Sequence, residues 1–237
     1  MGFERPVRLD ASTQIALAES ARHLSPGRWS AALLAQGYPA AEEVDILSLP
    51  LGMRDRLVMR IRANHVAGPM LAEPGCTSCG ATFEITVEPQ EVGLLGPTEP
   101  IDPGERDVAI SAQTLSLRPV ALSDLIAVEA IADPGAAAQA FAGRVCDADV
   151  DLTDLSEALE ALDPAADIWL NTQCPECGAP HSFALDPVHF FAIELSQIAQ
   201  RTLQDVVDIA RVFHWSEADI LALPEARRAF YVAEALA

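Results

Sequence analysis

Apolar residues recur at spacings of three and four along the last fifty positions: Phe191, Leu195, Ile198, Thr202, Val206, Ile209 and Phe213, widened by Ala192, Ala199, Leu203 and Ala210. This stripe predicts one long amphipathic helix. Asp186 is placed to cap it and Pro187 to occupy its first turn. At about 26 residues it would span nearly 40 Å. The pattern breaks at His214-Trp215. Ser216-Glu217-Ala218-Asp219 then reads as a capping box with Asp in place of Glu, and Pro224 opens a last helix bearing Ala229, Phe230, Val232 and Leu236.

The first third of the chain has the same helical period. Ser12 is expected to cap a helix running to about His23. Pro26 opens a second, which carries Trp29, Leu33 and Leu34 and ends at Gly37. A short helix is expected over residues 40–48. Another carries Met53, Leu57, Val58, Ile61 and His65, with Arg54, Arg56, Arg60 and Arg62 around the rest. That segment alone is basic, and it reads as a solvated face pairing with acidic neighbours or as a docking face for an acidic partner.

Between these helical regions the period falls to two. Phe83, Ile85 and Val87 alternate, as do Phe183 and Leu185, and Val108, Ile110, Leu115 and Leu117 predict further strands. Pro89, Gly93, Gly96, Pro97, Pro100, Pro103 and Gly104 give residues 88–104 the composition of a linker. Helices are then expected from Ser123, over residues 136–145, and from Thr153 to Asp163-Pro164. Asp147, Asp149, Asp151 and Asp154 read as a solvated acidic loop, since a calcium loop needs a Gly and a Glu that are out of register here. The fold class is therefore α+β, mainly α-helical. Its expected divisions are an N-terminal helical region (1–67), a first hairpin (68–92), an inserted segment (93–166), a second hairpin (167–186) and the long helix with a helical hairpin (187–237).

The two alternating stretches each follow a copy of one motif. Cys76-Thr77-Ser78-Cys79-Gly80-Ala81 and Cys174-Pro175-Glu176-Cys177-Gly178-Ala179 are both C-x-x-C-G-A. A glycine after the second cysteine permits the positive φ that folds the chain under an ion. Two such knuckles supply four thiolates, the preferred donor set of a structural Zn²⁺. Cys76, Cys79, Cys174 and Cys177 are the expected ligands in a zinc-ribbon-like module, and His65 is not needed. The 94 residues from Gly80 to Gln173 far exceed the roughly 15–20 of a simple ribbon, so a whole segment must leave the module and return. Neither pair opens a helix in a βαβ unit, which argues against redox chemistry. Nothing points to the oxidising compartment that disulfides need. Four cysteines leave no open position for a catalytic water. Cys146 reads as a small buried thiol.

Composition narrows the function. Half the residues are hydrophobic and only 5% aromatic, which favours helices packed through Ala and Leu. With 15 basic and 35 acidic residues the formal charge is −20. Such a surface repels phosphate backbones, so nucleic acid is not an expected partner, and a terminal helix-turn-helix would offer DNA little beyond Arg227 and Arg228. No apolar leader or 18-residue apolar run is present, so no membrane span is expected and the cytoplasm is the expected location. No catalytic triad order, phosphate loop, H-E-x-x-H or G-x-G-x-x-G occurs, and no enzymatic activity is expected.

Taken together, Leu51-Gly52-x-Arg54-Asp55-Arg56, the first knuckle, Asp163-Pro164-x-Ala166-Asp167, the second knuckle and Trp215-Ser216-Glu217-x-x-Ile220-Leu221-x-Leu223-Pro224-x-x-Arg227-Arg228-x-x-Tyr231 form a recognisable order. The chain resembles the baseplate hub assembly protein, or assembly chaperone, family of contractile-tailed phages and phage-tail-like contractile injection systems. The resemblance covers residues 45–90 and 164–232, with the C-terminal motif its most specific part. It implies a non-enzymatic structural or assembly protein whose partners are baseplate hub, spike or tail-tube proteins. The competing readings are a zinc-ribbon regulatory or transcription-associated adaptor, and an enzyme using the cysteines.

Overall fold

The computed structural model describes residues 3–95, 102–110, 113–148 and 150–237. Gly96, Pro97, Pro100 and Asp149 of the patterns above lie outside the described residues. The chain is mixed α/β, with about 51% helix and small two-stranded sheets. Helices α1 (Ala11–Ser20), α2 (Pro26–Gly37), α3 (Glu43–Leu47) and α4 (Leu51–Ala63) come first. A hairpin of β1 (Met70–Ala72) and β2 (Ile85–Val87) follows, then a hairpin of β3 (Arg106–Ile110) and β4 (Gln113–Leu117). Helices α5 (Leu122–Val128), α6 (Pro134–Val145) and α7 (Leu152–Leu162) and a 3-10 turn (Pro164–Ala166) lead to the hairpin of β5 (Ile168–Gln173) and β6 (Pro180–Leu185). The chain ends in α8 (Pro187–Phe213), α9 (Glu217–Leu221) and α10 (Glu225–Ala235).

Local signals place most boundaries. The Asp186 carboxylate accepts the His189 N–H at 2.9 Å and Pro187 sits at the first position of α8. His214 closes that helix in the left-handed region, at φ +60°. Ser216 accepts the Asp219 N–H at 3.2 Å. Two caps differ from expectation. Asp10, not Ser12, caps α1 by accepting the Thr13 N–H at 2.7 Å. The apolar stripe starts only at Ile15, so periodicity did not mark the first turn. For α5 the cap position is Ala121, and Asp124 accepts its N–H at 3.0 Å.

The main core lies among α1–α4 and the first turns of α8, where Trp29, Leu33, Leu34, Tyr38, Leu57, Val58, Ile61, Phe191 and Leu195 are buried. Helix α5 joins it through Leu122, and the chain before it is pinned by backbone bonds from Leu51 N–H to Val120 C=O (3.0 Å) and from Leu122 N–H to Leu49 C=O (2.9 Å). The rest of the inserted segment has its own apolar cluster, in which β3–β4 packs on α6 and α7 through Ile110, Leu117, Val145, Cys146 and Leu155. The start of the linker-like stretch is also folded: Leu94 is buried with Met59, Met70, Val87 and Leu185.

The basic helix is where the structure corrects the sequence. The pairing with acidic neighbours expected of α4 is present, but at Arg54 and Arg62 it is buried and not solvated, because the helix runs through the centre. Arg54 and Arg62 are 8% and 1% exposed. Arg54 pairs with Asp55 at 2.7 Å and Arg62 with Glu194 of α8 at 2.7 Å. Arg56 and Arg60 are half-buried and engaged as well. Buried guanidinium groups persist when carboxylates and carbonyls satisfy them.

Gly52 marks the tightest approach. Its N–H donates to Asp163 Oδ2 at 2.8 Å, and a Cβ there would lie 2.2 Å from Asp163 Oδ1 and 2.9 Å from the Ala165 backbone. Gly52→Ala is therefore expected to lower stability by about 1–3 kcal/mol, since the obstacle includes backbone. A urea melt of the variant measures this, and an unchanged midpoint would show that the joint gives way freely.

Candidate metal centre

Each knuckle sits at the tip of its own hairpin. Met70 pairs with Val87 and Ala72 with Ile85 in the first, continued by a bridge between Gly75 and Thr82. Ile168 pairs with Leu185 and Gln173 with Pro180 in the second. The turns are alike. Cys76 N–H donates to Ala81 C=O at 2.7 Å and Gly80 N–H to Cys76 C=O at 2.9 Å. Cys174 N–H donates to Ala179 C=O and Gly178 N–H to Cys174 C=O, both at 2.9 Å. Gly80 and Gly178 have φ of +76° and +72°. A Cβ would meet no atom within 4 Å at either, so backbone conformation, not crowding, requires glycine.

The two tips face each other and bring all four predicted cysteines together. Their sulfurs lie within 4.8 Å of one another. Cys76 Sγ is 3.6 Å from Cys177 Sγ, and Cys79 Sγ is 3.8 Å from Cys174 Sγ. All four are free thiols. A disulfide would bring two sulfurs to about 2.05 Å. A tetrahedron with metal–sulfur bonds of about 2.3 Å has edges of about 3.8 Å. The spacing thus suits a tetrahedral metal ion. Cys76 and Cys174 are buried and Cys79 and Cys177 exposed, so the cluster closes on one side against Phe83, Ile85 and Phe183 and faces solvent on the other.

Electrostatics favour a cation here. Burial pushes the Cys76 thiol up, but the N–H groups of Cys79 and Ser78, with the Cys79 thiol and His181, outweigh it and bring it down to about 5. At Cys79 the Ala81 N–H pulls down, yet the neighbouring thiols of Cys76 and Cys177 push the value well up. Four close thiols accept one negative charge readily and resist the next, which a divalent ion would relieve.

One residue at the site escaped the sequence reading. His181 Nε2 lies 3.2 Å from Cys76 Sγ. Its ring stacks on Phe183 with centroids 5.8 Å apart and lies 5.8 Å from Phe83. The signal was present: the two motif copies are 98 positions apart, so His181 stands where the first copy has Phe83.

His65, set aside as a ligand, sits elsewhere. Its Nε2 accepts the Leu9 N–H at 3.2 Å. Burial, helped by the Arg8 charge, lowers its pKa from 6.5 to about 4. Between those values the unfolded chain binds more protons than the folded one, so this stabilisation is complete above pH 6.5 and is lost as pH falls towards 4. Asp55, raised by burial to about 6, acts in the same window with the opposite sign. The test is therefore a difference. Urea melts at pH 7, 6 and 5 are expected to show a shallower acid loss for His65→Gln than for the wild type, and parallel curves would count against the assignment.

Away from the cysteines, a cleft of about 960 Å³ separates residues 8–14 from α8, α9 and α10. Two ion pairs close within the chain at this cleft, Arg8 with Glu225 and Arg228 with Asp205. No helix among the described residues is long and apolar enough to cross a membrane. Comparison of the chain with protein-family models, with curated proteins and with solved structures finds no match.

Proposed function

We propose that this chain is a non-enzymatic structural or assembly protein of a contractile tail or injection-system baseplate hub, held together by a structural zinc ion on four cysteines in a zinc-ribbon-like module. The observation that carries the reading is how the segments bearing the family resemblance are used. Residues 51–56 and 163–166 lie more than a hundred positions apart and meet at Gly52 and Asp163. The two knuckles meet at the four thiols. Phe213, Trp215 and Tyr231 interlock, with rings 4.8–5.6 Å apart. Each motif thus serves a joint of the fold, as expected of a protein whose product is a shaped surface.

Zinc is favoured over other metals by an all-sulfur tetrahedral donor set in a chain with no sign of redox use. Its role is to lock two hairpins that share no strand pairing. The docking surface is the C-terminal helical hairpin. Phe230 is 58% exposed and Trp215 36% exposed, on an acidic chain suited to a basic or mixed-charge protein. The protein acts in the cytoplasm.

The test is a tagged pull-down at moderate salt from cells that produce the chain, with bound proteins identified by mass spectrometry and Phe230→Glu as the control. Recovery of hub, spike or tail-tube proteins by the wild type, and their loss with the variant, is the expected result. Recovery of RNA polymerase subunits or nucleic acid without tail components would overturn the assembly reading in favour of the adaptor.

A further inference from the structure

The repeat itself isolates the exception. Moving 98 positions along the chain superimposes Cys76 on Cys174, Cys79 on Cys177, Gly80 on Gly178, Ile85 on Phe183 and Val87 on Leu185. Along the inward-facing positions of the two copies, each of these pairs is a cysteine, a glycine or two apolar residues. Phe83 on His181 is the pair in which an apolar ring becomes one with a hydrogen-bond donor. Strand β6 places His181 and Phe183 on the same face, two positions apart. That face meets the opposite hairpin, and His181 Nε2 reaches Cys76 Sγ at 3.2 Å, across from its own knuckle. Phe183, stacked on the ring with centroids 5.8 Å apart, and Phe83, tilted against it at 5.8 Å, hold the ring in place. A metal-bound thiolate offers only lone pairs, so the ring nitrogen at this distance is the donor.

We propose that His181 is a positioning residue of the metal centre: its Nε2–H donates to the Cys76 thiolate, orients that ligand and links the two hairpins through the metal's outer shell. This rests on the zinc reading above. Cys76 already receives the N–H groups of Ser78 and Cys79, both at 3.4 Å, so His181 completes a three-donor shell around one buried sulfur. Such outer-shell donors typically govern metal affinity by 10–100-fold.

The experiment compares full-length wild type with His181→Phe and His181→Gln. Phenylalanine is the residue at the matching position of the first knuckle, so it keeps the stacked ring and removes the donor. Glutamine gives up the ring and keeps an N–H near the same place. Zinc affinity is measured by competition with a chromophoric chelator, and the thiolate-to-metal charge-transfer band is read after Co²⁺ substitution. His181→Phe is expected to bind zinc 10–100-fold more weakly and to shift the band to lower energy, because an undonated thiolate is the better electron source. His181→Gln is expected to restore most of both. A role in packing alone predicts the reverse order, with Phe tolerated and Gln impaired. That order, or a His181→Phe protein equal to wild type in both readouts, would overturn the proposal. A wild-type protein that gives no tetrahedral cobalt spectrum would remove the zinc reading and this inference with it.

Discussion

On the zinc reading, Cys174→Ser is expected to abolish metal binding and to release the two hairpin tips from each other. The reason lies in how little else joins the two tips, since the shared apolar packing of Met70, Val87 and Leu185 lies at the hairpin bases. β1–β2 and β5–β6 form separate two-stranded sheets. The first has strands of three residues, and isolated hairpins of that size are marginal in water. Beyond the cysteines the tips share a small cluster of rings, Phe83, His181 and Phe183. Structural zinc contributes on the order of 10 kcal/mol of metal-coupled folding energy in zinc-finger peptides, comparable with the whole stability of an ordinary domain. Cys174 is 2% exposed, so water has little room to replace the lost sulfur. The expected result is loss of stoichiometric zinc on metal analysis, a sharply lower melting temperature, and new protease cleavage within residues 70–87 and 168–185. The main core around Trp29 and Phe191 contains no cysteine, so much of the helical circular dichroism is expected to survive. A strong chelator should reproduce the effect in wild type. A variant with unchanged melting and metal content would show that the cluster is not structural.

The next largest effect is expected at Arg62. Its guanidinium is among the most deeply buried charges of the chain and makes four bonds. Two go to the Glu194 carboxylate, each at 2.7 Å, and two to the carbonyls of Gly68 (3.0 Å) and Pro69 (2.9 Å). One side chain on α4 thereby holds α8 and the lead-in to the first hairpin. Arg62→Met leaves Glu194, only 19% exposed at its side chain, and two carbonyls without their donor. Removing one partner of a buried pair typically costs about 3–5 kcal/mol, against near neutrality for an apolar replacement of both. Denaturant melts are expected to place Arg62→Met in that range, with part of the loss recovered in the double variant Arg62→Met, Glu194→Met. Recovery should be incomplete, because the bonds to the Gly68 and Pro69 carbonyls are still lost. A single variant within about 0.5 kcal/mol of wild type, the range of an ordinary surface substitution, would show the pair to be exposed in solution.

These two sites divide along the line between what sequence and tertiary structure decide. The four cysteines were legible because each pair lies within one turn. A C-x-x-C-G-A turn specifies its own conformation, down to the glycines at φ +76° and +72°. Asp186-Pro187 and Ser216 were legible for the same reason, since a cap and its N–H partner are three residues apart or fewer. Arg62 was not. Its helix has helical spacing whether its arginines face water or Glu194, 132 positions away, and only packing distinguishes the two.

The same holds for His181 and for Gly52. The strand period put His181 on the face of Phe183, but contact with Cys76 depends on how two hairpins meet, 105 positions apart. Gly52 resembled an ordinary helix-start glycine until Asp163 came to lie against it. Helix α5 also left the inserted segment for the main core, because its Leu122 face found a place beside α2 that no local pattern describes. By itself the sequence determined the knuckle turns, the caps of the long helix and of the one after it, the amphipathic stripe and the four sulfurs of the candidate metal site, all of which arise from interactions a few residues in range. The tertiary structure decided which charges are buried, which aromatic rings surround the sulfurs and which surface remains open, because burial is a property of what arrives from elsewhere in the chain.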